Sequence, residues 1–121
     1  MKKLVVLVSV MSVAGLAGAE SGLTVRMTSR DAFVPKTLTI KVGGTVVWEN
    51  DSPAVHTVTD NPDLAAEKQD AAMPAGATAF NSGTVEPGRQ YSQAFTVPGT
   101  YKYFCVPHEA GGMVGTIVVT R

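Results

Sequence analysis

At 121 residues the chain has room for one domain of ordinary size but not two, and with 45% apolar residues it can build a packed core. Ten basic residues balance ten acidic ones, so no field of one sign points to nucleic acid or to an anionic membrane surface. Without Lys2 and Lys3 the remainder holds 8 basic and 10 acidic residues, a mildly acidic net charge of −2.

The first element is a targeting segment. Lys2 and Lys3 form a charged start, an uncharged and largely apolar run follows from Leu4 to Ala19, and Ala17-Gly18-Ala19 supplies the small residues of a cleavage site. The run is shorter than the roughly 18 apolar residues a spanning helix needs. Residues 1–19 are therefore expected to be a signal peptide, with an uncleaved anchor as the alternative, and residues 20–121 to be the mature domain. Ala19 stands where a lipoprotein signal requires cysteine, so no lipid anchor is expected. The mature protein should be a soluble monomer in the periplasm or an equivalent extracytoplasmic compartment.

Period-two alternation dominates the mature chain. Leu23–Thr28 and Thr37–Val42 alternate apolar and polar residues, and Gly43-Gly44 turns the chain into Thr45–Asn50. Residues Asp60–Met73 differ. Asp60 or Asn61 can cap a helix, Pro62 suits its first turn, and Asp63 favours the positive end of its dipole. One short surface helix is expected there, with an irregular excursion as the alternative. Gln90–Val97 reads as a strand, Pro98-Gly99 turns into Thr100–Cys105, and Gly115–Thr120 closes the chain. Short strands broken by Gly and Pro predict an all-β protein, an antiparallel β-sandwich.

Cysteine chemistry directs attention to one loop. Cys105 is the only cysteine, so it cannot form an internal disulfide, and an exported free thiol is open to oxidation unless something occupies it. Cys105, His108 and Met113 lie between two predicted strands in a loop whose Gly111 and Gly112 permit a tight return. Thiolate, imidazole and thioether form a soft donor set suited to copper. His56, the only other histidine, follows the Thr45–Asn50 strand at a sandwich end and completes the set. Taken alone, His56 would read as a solvated loop residue and Met113 as core filler. Zinc competes for a Cys and two His, but the thioether favours copper. Two His, one Cys and a distant Met form the blue-copper arrangement.

On these residues the chain resembles the cupredoxins, and within them the plastocyanin-like small blue-copper proteins. The likeness runs through Phe33-x-Pro35, Leu38-x-Ile40, Gly43, Val47-Trp48, His56, Met73-Pro74, Gly83 and Tyr101 to Val119. The Cys-x2-His-x4-Met spacing matches plastocyanins and pseudoazurins, whereas amicyanins have a shorter loop. The resemblance implies an eight-stranded Greek-key sandwich in which His56, Cys105, His108 and Met113 hold one Cu(I)/Cu(II) ion. It also implies electron transfer between a donor and an acceptor redox protein. Two positions depart from it: Thr57 stands where Asn is usual after the first histidine, and Phe104 where Tyr is usual before the cysteine. Trp48, Phe33 and Phe104 are expected in the core, while Pro53, Ala54, Val106 and Pro107 are expected to border His108. Copper enzymes with related domains need further histidines, which this chain lacks. Copper storage or delivery is the alternative function, though the Met- or His-rich tracts that would serve it are absent.

Overall fold

Alternation becomes burial in the computed structural model, which describes residues 23–121. The expected signal peptide, residues 1–19, lies outside the described residues. Val46, Trp48 and Asn50 are buried while Thr45, Val47 and Glu49 between them are only partly so, and Ile117 and Val119 alternate in the same way with Thr116 and Val118. Among the described residues there are seven strands: β1 Thr24–Met27, β2 Phe33–Val34, β3 Thr37–Lys41, β4 Thr45–Asn50, β5 Gln90–Ala94, β6 Gly99–Phe104 and β7 Val114–Thr120. They form one sheet in the order β2-β1-β4-β5 and a second in the order β3-β7-β6. The apolar faces of both sheets enter one core. Trp48 of the first sheet meets Tyr103 of the second edge-on at 5.3 Å, and Phe33 meets the same tyrosine at 4.6 Å.

The sandwich is as expected, but its pairing is mixed rather than wholly antiparallel. β1 runs parallel to β4, and β3 parallel to β7, over registers such as Val25 with Trp48 and Ile40 with Val119. The chain changes sheet after β2, β3 and β5. Consecutive strands that stay in one sheet pair antiparallel, β1 with β2, β4 with β5 and β6 with β7, while the pairs made across a crossover, β1 with β4 and β3 with β7, are parallel. Gly43-Gly44 does turn, with Gly43 at φ +93° and the Gly44 N–H donating to the Lys41 carbonyl at 3.0 Å. Its two flanking strands nevertheless diverge into different sheets. The turn is tied to both: Val42 N–H donates to Thr120 O at 2.7 Å, and Gly43 N–H to Phe95 O at 2.7 Å.

Residues 60–73 hold two single 3₁₀ turns, Pro62–Leu64 and Lys68–Asp70, in place of the expected helix. Asn61 does cap the first, its side chain accepting the Asp63 N–H at 2.9 Å. Neither turn buries a residue, and a helix this short without an apolar face to pack does not propagate. Asp60, the other candidate cap, is buried instead and accepts the Phe80 N–H at 2.8 Å.

Candidate metal centre

Three of the four candidate donors come from one loop that closes on itself. Cys105 follows β6, a 3₁₀ turn over Val106–Gly111 carries His108, and Gly112 at φ +91° ends it. Only glycine takes that left-handed conformation without steric cost. Met113 then leads into β7. The backbone joins the three donors pairwise: His108 N–H donates to Cys105 O at 3.2 Å, Met113 N–H to His108 O at 3.2 Å, and Cys105 N–H to Met113 O at 3.1 Å. The Glu109 carboxylate pins the loop from outside, accepting the N–H groups of Ala66 at 2.8 Å and Glu67 at 3.0 Å. No motif or spacing signals this clamp, which spans more than forty residues.

His56 arrives from the other sheet. Its backbone pairs with Val85 in both directions, at 3.2 and 2.8 Å. The result is a triangle of donor atoms: His56 Nδ1 and His108 Nδ1 are 3.2 Å apart, and Cys105 Sγ lies 3.7 Å from the first and 3.3 Å from the second. A point equidistant from all three lies about 2 Å from each, the length of a bond from a metal to nitrogen. Cys105, His56 and Met113 are fully buried.

The surroundings favour the neutral forms of both buried donors. Burial pushes the Cys105 thiol up, against the Thr57 N–H that pulls it down. Burial also pushes His56 down, and the neighbouring His108 adds to it. A neutral imidazole is ready to ligate, while the thiol must lose its proton to the incoming metal. Thr57 serves the site twice despite departing from the usual Asn. Its N–H donates to Cys105 Sγ at 3.3 Å, and its hydroxyl accepts the Val106 N–H at 2.7 Å. His108 alone reaches the surface, with its side chain 25% exposed and Nε2 3.6 Å from the Asp31 carboxylate. Phe33, Trp48 and Phe104 are buried, as expected of core residues.

Residues 20–120 match the family model of copper binding proteins of the plastocyanin/azurin family. The chain belongs to that family. It is 38% identical over 106 residues to plastocyanin of Scenedesmus fuscus, covering 84% of this chain and 93% of that one. It is 37% identical over 119 residues to chloroplastic plastocyanin of Chlamydomonas reinhardtii, covering 93% of this chain and 77% of that one. Among solved structures, the Cu(I) form of an amicyanin mutant is 31% identical with a TM-score of 0.60, covering 79% of each chain. A purple cupredoxin from Nitrosopumilus maritimus shares the fold at 24% identity and a TM-score of 0.63, over 80% of this chain and 98% of that one. Copper is thus the cofactor of this plastocyanin-like cupredoxin, and the soft donor set at the triangle fits it better than zinc.

Proposed function

We propose that His56, Cys105, His108 and Met113 hold a single copper ion and that the protein carries electrons one at a time between larger redox proteins. The observation behind this reading is the convergence of two imidazole nitrogens and one thiol on a point within bonding distance of all three, with the buried Met113 tied by its backbone to Cys105 and His108. Bound copper would supply the one-electron Cu(I)/Cu(II) couple. The chain supplies a rigid, largely water-free setting in which the donors need not move between the two states.

The partner would meet the exposed edge of His108. Pro53, Val55, Val106 and Pro107, which flank the donors in sequence, are exposed, and an apolar face of this kind suits brief redox encounters with small interfaces. Phe104 is fully buried, so this side chain offers no second route to the surface. An enzymatic role would need a second metal site. Among the described residues one His/Cys/Asp/Glu cluster suits a metal, and the chain has no third histidine. We place the protein outside the cytoplasm, on the charged, apolar and small-residue pattern of residues 1–19.

The test is optical. Cu(II)-loaded protein should show an intense visible band from the Cys105 thiolate that bleaches on reduction and returns on reoxidation, and Cys105→Ser should abolish it. A band that survived Cys105→Ser would overturn the thiolate assignment. Tight copper binding without a reversible colour change would favour storage or delivery instead.

A further inference from the structure

Beside the triangle lies a buried polar cluster that neither the core nor the donor loop accounts for: Asn50, Ser52 and the far nitrogen of His56. All three residues are buried. Counting hydrogens leaves one consistent arrangement. The Asn50 amide spends both its hydrogens on carbonyls, Ala54 O at 2.8 Å and Val85 O at 2.9 Å. Its Oδ1 must then accept, and it faces the Ser52 N–H at 3.0 Å and the Ser52 hydroxyl at 2.7 Å. The single hydroxyl hydrogen of Ser52 has Asn50 Oδ1 at 2.7 Å and Ala54 O at 3.1 Å as its acceptors. The Ser52 oxygen accepts the Ala54 N–H at 3.2 Å and therefore presents its remaining lone pair to His56 Nε2, 2.9 Å away. Turning the hydroxyl toward Nε2 instead would leave two oxygens facing each other at 2.7 Å with no hydrogen between them, in a site closed to water.

We propose that Asn50 and Ser52 are positioning residues that hold the proton of His56 on Nε2, so that the Nδ1 lone pair always points into the donor triangle. The chain thereby selects the ligating tautomer before any metal arrives. A ligating histidine is commonly oriented through its second nitrogen, and here a serine hydroxyl does this, itself aimed by an amide whose own orientation is locked. Asn50 is anchored independently: its N–H donates to Arg89 O at 2.9 Å and its carbonyl accepts the Gly88 N–H at 2.9 Å. The two histidines are consequently unequal. The Nε2 of His56 is held by a buried bond to Ser52 Oγ, whereas the Nε2 of His108 faces only the exposed Asp31 at 3.6 Å.

The tautomer can be read in metal-free protein, so the test does not depend on the copper reading. Long-range ¹H–¹⁵N correlation spectra of the apo form should show His56 protonated at Nε2 and bare at Nδ1. Ser52→Ala keeps both Asn50 amide bonds to the backbone and should convert His56 to a mixture of tautomers, while Ser52→Thr should restore Nε2–H. Copper affinity should fall about tenfold or more in Ser52→Ala and recover in Ser52→Thr. Amide chemical shifts outside residues 50–57 should stay unchanged, which separates positioning from loss of fold. A wild-type His56 protonated on Nδ1, or a Ser52→Ala protein that stays wholly Nε2–H, would overturn the proposal. A wild type with the expected tautomer but no copper-dependent colour would overturn the copper reading and leave this one standing.

Discussion

If copper sits as proposed, Met113 and Pro107 act on the same centre in different ways. A thioether is a weak donor to copper, so Met113→Leu should retain metal and colour while raising the reduction potential, because losing a donor disfavours Cu(II). Met113→Gln should lower it. Loss of copper from Met113→Leu would show that the site cannot spare the sulfur. Pro107 has no N–H, and the sulfur of Cys105 has one hydrogen bond within 3.3 Å from a backbone N–H, that of Thr57. Pro107→Ala adds a donor beside the thiolate and should raise the potential with ligation intact; protein voltammetry with the visible spectrum as control checks it. An unchanged or lower potential with an intact band would show that Pro107 only stiffens the turn. Asp60 is independent of the metal. Burial pushes its carboxyl up to about 6, against the opposing bond from the Phe80 N–H. The folded state thus keeps a proton that the unfolded chain releases at lower pH, so stability should fall as pH rises from about 4 to about 6 and then level off. Asp60→Asn should flatten that slope and gain on the order of 2 kcal/mol at neutral pH. Urea midpoints of both proteins at pH 4 and pH 8 measure it.

Gly115 shows how closely the elements of the second sheet depend on one another. It pairs with Tyr103 across β6 and β7, and a Cβ there would come within 2.4 Å of the tyrosine ring and hydroxyl. Tyr103 cannot withdraw, because its ring is wedged edge-on against both Phe33 and Trp48. Gly115→Ala should therefore cost about 1–3 kcal/mol in denaturant unfolding, and it should loosen β7 just after Met113. An unchanged unfolding midpoint would mean that Tyr103 has room to move. Most strand positions are legible in the sequence because alternation is local: Thr45–Asn50 matches to the residue and five others within a few residues at their ends, whereas the two-residue strand Phe33–Val34 is too short to show a period. Partner choice was not. Whether β3 and β4 make a hairpin depends on hydrogen bonds from the Gly43-Gly44 turn to Thr120 and Phe95, far along the chain. The helix start at Asn61 was legible too, but its length was set by the lack of any core to pack against.

For the whole molecule, the aromatic core and the donor triangle contribute to stability in separable ways. Trp48, Phe80, Phe95, Tyr101 and Tyr103 pack against one another and none of them is a candidate donor, so removing copper with a chelator should leave the far-ultraviolet dichroism unchanged. It should still lower the melting temperature, since a ligand at about 1,000 times its dissociation constant adds about 4 kcal/mol. Collapse of the fold on chelation would show that the metal, not the core, organises the sandwich. The candidate loop donors were readable by themselves because Cys105, His108 and Met113 are close in sequence and their spacing survives folding as geometry. His56 joined them because the chain has a single other histidine to offer. The sequence by itself determined the sandwich class, the positions of the longer strands and the candidate donors, all of which follow from local periodicity, spacing and residue chemistry. Only the tertiary structure decided the parallel pairings, the Glu109 clamp on Ala66 and Glu67, the double service of Thr57 and the aim of Ser52 at His56. Each of these depends on a hydrogen bond whose direction is set when separate segments pack, and no composition or period records which way a hydroxyl or carboxylate will face.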